Sequence, residues 1–133
     1  MDASIIITTY RRTAMLAELL TVLKRQLAAR NTETIVIDNC PDASARATVE
    51  TAAHEQIRYV HEPRSGVVNA RNRGVAEARG TYLIFLDDDE VPEPDWLEQL
   101  LTVRQAEQAD VVAGPALPFF PMSDVPQWVI KGR

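Results

Sequence analysis

Asp87, Asp88, Asp89 and Glu90 follow directly on the apolar run Tyr82-Leu83-Ile84-Phe85-Leu86. Acids in series repel one another, so a folded chain must give them a cation or raise their pKa values. The cation that suits carboxylate oxygens is a hard divalent metal. Side chains alternate along extended chain, so Asp87 and Asp89 face one way and Asp88 the other. One acid can then hold a metal while its neighbour accepts from a ribose or sugar hydroxyl. A solvated turn or a helix N-terminus would use the same residue types. Position favours a site: acids at the C-terminal end of a buried strand stand where open α/β sheets bind ligands.

Other residues belong to the same edge. Asp38 ends the run Thr34-Ile35-Val36-Ile37, where an ionised acid can accept from a base or ribose, or serve as an Asx turn before Pro41. Asp42 fits either a turn or a helix cap. Thr8, Thr9 and Tyr10 close the first strand, and Tyr10 can stack on a planar base or simply pack. Arg71 shares a helical ridge with Val67 and Val75, beside a small-residue ridge of Ala70, Gly74 and Ala78 suited to close packing on a sheet. An arginine among core-facing positions needs an anion, either a site carboxylate or a ligand phosphate, unless it snorkels to the domain edge. Arg64 and Arg73 read as solvated surface. His54 and His61 show no metal-ligand spacing, and neither a Gly-x-Gly-x-x-Gly nor a Lys-Ser/Thr phosphate loop is present. Nor does spacing support a Ser-His-Asp or Cys-His arrangement.

The elements that must position these residues alternate in type. Ser4–Thr9 reads as a buried strand. A helix from about Thr13, with Thr13 as its cap, carries Leu16, Leu19, Leu20, Leu23 and Leu27 at helical spacing. Thr34–Asp38 is a second buried strand, Ala43–Ala53 a short helix, and Ile57–Val60 a more amphipathic strand. A helix over Val67–Ala78 closes near Gly80. The fourth strand leads into the acids and, as an unbroken apolar run, should be buried on both faces. Pro92 and Pro94 break the chain, with Pro94 in the first turn of a helix holding Trp96, Leu97, Leu100, Leu101 and Val103. Val111–Ala113 should form a fifth strand. This βα alternation predicts an α/β domain with a mostly parallel sheet flanked by helices and right-handed crossovers. It spans residues 1–114, and 115–133 form a tail with four of the eight prolines and with Phe119, Phe120 and Trp128.

Composition narrows the function classes. The chain's 133 residues make one domain, with 46% hydrophobic and 25% charged residues, as in an ordinary globular protein. A formal charge of −5 gives no general attraction to nucleic acid or anionic membrane. No stretch approaches the roughly 20 apolar residues of a membrane span. The start Met1-Asp2-Ala3-Ser4 enters a strand at once, so no signal peptide is expected, and the single Cys40 suits a reducing cytoplasm.

Taken in series, the motifs resemble family 2 glycosyltransferases. Ile6-Ile7-Thr8-Thr9-Tyr10-Arg11-Arg12 resembles their opening strand, and Val36-Ile37-Asp38-Asn39-Cys40-Pro41-Asp42 their second-strand motif. The segment from Ser65 to Gly74, with Ala70-Arg71-Asn72-Arg73-Gly74, resembles their Gly…Ala-Arg-Asn-x-Gly segment. Ala78 to Asp89 resembles the Asp-x-Asp region. The resemblance implies a Rossmann-like GT-A fold that uses a nucleotide-diphosphate sugar with Mn²⁺ or Mg²⁺, and a UDP-linked donor is expected here. By position, Thr8 and Tyr10 would flank the base and Asp38 would accept from it. Arg71 would support the base side of the pocket or the acids, and Asp88 or Asp87 would touch the ribose. Asp89, with Asp87 facing the same way, would bind the metal. A diphosphate leaves while a hydroxyl acceptor attacks with inversion, assisted by a catalytic base. In that family the base and the acceptor-binding strands lie beyond the position of Arg133, so no base is assigned and the domain reads as C-terminally incomplete. Arg11, Asn39 and Cys40 depart from the commoner residues of the first two motifs. A rival reading is a catalytically silent nucleotide-binding or interaction module that forms a homodimer through its tail. A receiver-like signalling domain would need paired acids after strand one and a lysine after strand five, and neither is present.

Overall fold

A computed structural model of the protein describes residues 1–28 and 30–117. The tail aromatics Phe119, Phe120 and Trp128, and the expected pairing through them, lie outside the described residues. The elements run β1 (Ala3–Thr9), α1 (Thr13–Leu27), β2 (Thr32–Asp38), α2 (Arg46–Ala52), β3 (Ile57–His61), α3 (Val67–Glu77), β4 (Tyr82–Asp87) and α4 (Trp96–Glu107). The sheet order is β3-β2-β1-β4, and every pairing is parallel. β2 and β4 therefore leave β1 on opposite sides, and the sheet has a switch point at β1. In open α/β sheets the crevice beyond such a point is where ligands sit.

One face of the sheet carries Ile5, Ile7, Val36 and Leu86 against Leu16, Leu19, Leu20, Leu23 and Leu27 of α1, all buried. The other face carries Ile6, Ile35, Ile37 and Val60 under Ala70 of α3. Strands β1 and β2 are covered on both sides, which is why their β-branched runs show no polar alternation. Gly74 lets α3 approach closely: a Cβ there would collide with Cγ2 of Ile6.

Several expectations need correction. β4 is an edge strand among the described residues, and α3 lies over β1 and β2 rather than over β4. Leu83 and Phe85 are therefore 41% and 48% exposed, whereas Ile84 and Leu86 pack on the other face. Val111–Ala113 forms no strand, because no ladder joins it to that free edge, and Val111 is exposed. On α3 the small-residue ridge is the packed one. Val67, Arg71 and Val75 are exposed, so Arg71 is not core-facing. Thr13 is the first helical residue of α1, preceded by Arg12 at the N-cap, and makes no side-chain cap bond. Helix α2 starts at Arg46 rather than Ala43, because Asp38 takes the N–H of Ala45 and holds the preceding segment as a turn. Pro94 precedes α4, whose N-cap is Asp95.

Candidate functional site

The C-terminal ends of β1 and β4 are tied together by one buried carboxylate. Thr9 Oγ1 donates to Asp88 Oδ2 at 2.8 Å, and Arg12 Nη1 donates to Asp88 Oδ1 at 3.1 Å. Alternation after β4 turns Asp88 inward, where it is 5% exposed, while Asp87 and Asp89 face solvent. Arg12 Nη1 also reaches Asp89 Oδ2 at 3.1 Å, and Arg71 Nη2 lies 3.5 Å from Asp87 Oδ1. The acids thus have protein cations within reach. Hydrogen bonding to Asp88, reinforced by the charges of Asp88 and Asp89, raises the Arg12 pKa above its ordinary value.

A cavity of about 570 Å³ opens beside these acids. Thr8, Thr9, Tyr10 and Arg12 line it from the end of β1, Arg71 from α3, and Asp87, Asp88 and Asp89 from the β4 turn. Ser65, Gly66 and Val67 add the start of α3, which has neither a side-chain cap nor an acid in its first turn. The first-turn N–H groups of such a helix lack intrahelical partners and favour an anion. Tyr10 is half exposed at the cavity wall, with the Arg11 guanidinium 5.3 Å from its ring centroid.

The expected residues Thr8, Tyr10, Arg71, Asp87, Asp88 and Asp89 all meet at this cavity. Asp38 does not line it. It is fully buried and accepts from Cys40 N at 3.0 Å, Ala45 N at 2.8 Å and Tyr59 Oη at 3.0 Å. Burial, with the Asp38 acceptor next, pushes the Tyr59 pKa up to about 12. Asp38 therefore shapes the turn after β2, and the next residue, Asn39, reaches the cavity. Asn39 Nδ2 donates to the carbonyls of Glu62 and Arg64 at 2.8 Å each, and its Oδ1 accepts from Gly66 N at 3.0 Å. Gly66 has φ of 114°, a conformation that suits glycine at this turn into α3. Asp42 accepts from Cys40 Sγ at 2.8 Å, which lowers its pKa.

Arg12 and Asn39 are the site residues that sequence reasoning passed over. A signal for Arg12 existed: the acids needed a cation, and the β1 turn carries two arginines facing the same edge. Asn39 left no comparable signal, since its role depends on the β3–α3 loop folding back over β2. Arg64 and Arg73, read as surface residues, pair with Glu62 and Glu77 and stay out of the cavity lining.

The donor set fits a divalent cation in part. Among the described residues no group of three or more His, Cys, Asp or Glu gathers. Asp87 and Asp89 are two hard oxygen donors on one wall, and Mg²⁺ in phosphate-binding sites takes one or two carboxylates and completes its shell with water and phosphate oxygens.

Comparison with known proteins gives a consistent picture. The chain is 39% identical over 135 residues to the succinoglycan biosynthesis protein ExoM of Rhizobium meliloti, an alignment covering 95% of this chain and 42% of the relative. Its fold is similar to S. aureus TarS 1-349 solved in complex with UDP-GlcNAc, with a TM-score of 0.71, 21% identity, and coverage of 90% of this chain and 37% of that one. It is also similar to the mannosyltransferase PcManGT from Pyrobaculum calidifontis, solved in complex with GDP-Man and Mn²⁺. There the TM-score is 0.70 at 24% identity, covering 77% of this chain and 32% of that one. The chain thus spans about a third to two fifths of the length of these proteins. No helix among the described residues is long and apolar enough to cross a membrane. With the GT-A-type α/β fold in place and residues 4–131 matching the family described as Glycosyl transferase family 2, the chain belongs to that family.

Proposed function

We propose that this chain is the donor-binding part of a glycosyltransferase, taking a nucleotide-diphosphate sugar, UDP-linked by preference, for inverting transfer to a hydroxyl acceptor. One observation carries the reading. Exposed Asp87 and Asp89 flank buried Asp88 on the wall of a cavity that also holds Thr8, Tyr10 and Arg71, at the switch point of a parallel sheet. Ligands named in the titles of similar structures support the donor class: UDP-GlcNAc for TarS, GDP-Man with Mn²⁺ for PcManGT.

In this reading Tyr10 stacks on the base and Thr8 flanks it. Asp88 holds the ribose side of the turn, and Asp87 and Asp89 bind Mn²⁺ or Mg²⁺. Such an ion, when bound, supplies positive charge that stabilises the diphosphate as leaving group. Asp38 contributes by holding the turn that presents Asn39. No catalytic base is assigned.

Isothermal titration with UDP and with GDP, with and without Mn²⁺, tests this on the wild type and on Asp89→Asn. UDP binding that needs Mn²⁺ and weakens in Asp89→Asn is the expected result. Binding indifferent to both metal and substitution removes the metal assignment, and absence of nucleotide binding removes the proposal.

A further inference from the structure

Both acids assigned to the metal are already held by arginines of the cavity wall. Asp89 is paired with Arg12 at 3.1 Å, and the two side chains are 49% and 51% exposed respectively. Asp87 is paired with Arg71 at 3.5 Å, at 56% and 50% exposure respectively. Ion pairs this exposed are weak and exchangeable. We propose that Arg12 and Arg71 are resident counter-cations of the acid turn, which release Asp89 and Asp87 when a divalent cation binds, and that Arg12 then turns to the diphosphate. Only the diphosphate half rests on the donor-binding reading above.

Arg12 is built for such an exchange. Its Nη1 also donates to Asp88 Oδ1, and that side chain is only 6% exposed. Asp88 Oδ2 is in turn held by Thr9. The buried contact remains when Asp89 is given up, so the guanidinium stays tethered in the cavity. Both contacts run through Nη1, which leaves the Nε and Nη2 donors of the same planar fork for a third oxygen. A fork of this kind suits phosphate better than a lysine would.

The backbone accounts for the placement. Arg11 has φ of 54°, an uncommon left-handed conformation for a residue with a side chain. It turns the chain between β1 and α1, so that the N-cap Arg12 crosses the sheet edge to the β4 turn. Strain of this kind concentrates at functional sites. Arg71 arrives independently from the exposed face of α3, and two separate elements thus deliver a cation to the same acids.

The test is Mn²⁺ binding to the 133-residue chain, read from the electron paramagnetic resonance signal of the free ion, with UDP titrations alongside. Without nucleotide, Arg12→Ala should bind Mn²⁺ roughly threefold more tightly than the wild type, the scale of one exposed ion pair removed from competition. Arg12→Gln, closer in size and uncharged, should behave the same and stands in if the alanine protein folds poorly. With saturating Mn²⁺, UDP should bind both variants about tenfold more weakly, as expected for a lost charge-assisted hydrogen bond. Variants that bind Mn²⁺ no more tightly than the wild type, including variants that bind none, overturn the counter-cation role. Unchanged UDP affinity overturns the diphosphate role. A wild type that ignores UDP, beside variants that still gain Mn²⁺ affinity, sinks the donor-binding reading and leaves the counter-cations standing.

Discussion

Thr9 and Asp88 stand 79 residues apart in the chain, and the 2.8 Å hydrogen bond between their side chains locks the end of β1 to the acid turn. Asp88 is buried, so the hydroxyl satisfies an oxygen that water cannot readily reach. Thr9→Val keeps the shape and removes the donor, and should lower stability by about 1–3 kcal/mol. Urea unfolding measures the loss, and an unchanged midpoint would show that the turn holds itself.

Gly74 sets two effects against each other. Alanine is the better helix former by about 1 kcal/mol, yet its methyl would strike Ile6 on the sheet below. Ile6 is β-branched and buried, so it yields poorly. Overpacking of this kind costs about 1–3 kcal/mol, and Gly74→Ala should melt at a lower temperature than the wild type. A raised melting temperature would mean that α3 rides higher on the sheet than described.

At the opposite end of the strands, Arg58 bridges buried Glu33 at 2.9 Å and Glu77 at 3.0 Å, while Glu33 also takes Ser4 Oγ and Arg79 N. Arg58→Ala leaves Glu33 without its cation. The expected cost is about 3 kcal/mol, at the lower end for a broken buried pair because Arg58 keeps some solvent contact. Nucleotide binding below the melting transition should survive, since the network lies far from the cavity. Parallel titration and unfolding experiments separate the two effects.

Stability should also respond to acid through Glu62. Hydrogen bonds from the Arg64 side chain and backbone hold its pKa down to about 2. A depressed folded pKa gives stability that is fully present above the unfolded value of roughly 4.3, and that fades as pH falls toward 2. Glu62→Gln should flatten this part of the stability profile between those limits. Denaturant midpoints taken across that window decide it.

Tyr10 offers the most direct check on the base side. It is half exposed, so Tyr10→Ala should leave folding intact. Loss of an aromatic stacked on a base costs about 1–3 kcal/mol, or roughly five- to 150-fold in affinity for UDP. Ribose 5-phosphate, which has no base, should bind wild type and variant alike, and equal UDP affinity would place the base elsewhere.

Much of this architecture could be read directly. The β-branched runs of β1 and β2 and the leucine stripe of α1 correspond to buried surfaces, because hydrophobic period reports how many faces an element must cover. The same logic failed for β4. An apolar run says that a strand can be covered on both sides, but not which helix covers it, and α3 packs chiefly over β1 and β2. It failed for α3 too, where two ridges fitted a helical period and the small residues proved to be the packed ones.

The local order of residues thus determined the strand-and-helix alternation, the acid turn after β4 and the alternation that separates Asp88 from Asp87 and Asp89. These depend on neighbours a few residues apart, and chain geometry transmits them without reference to the rest of the molecule. Tertiary structure alone decided who meets those acids. Arg12 and Thr9 reach Asp88 only because β1 and β4 pair in parallel, with Thr8 opposite Asp87. Asp38 faces inward only because the chain folds Cys40, Ala45 and Tyr59 around it. A side chain's charge is written in the sequence, but its partner is chosen by packing across dozens of residues.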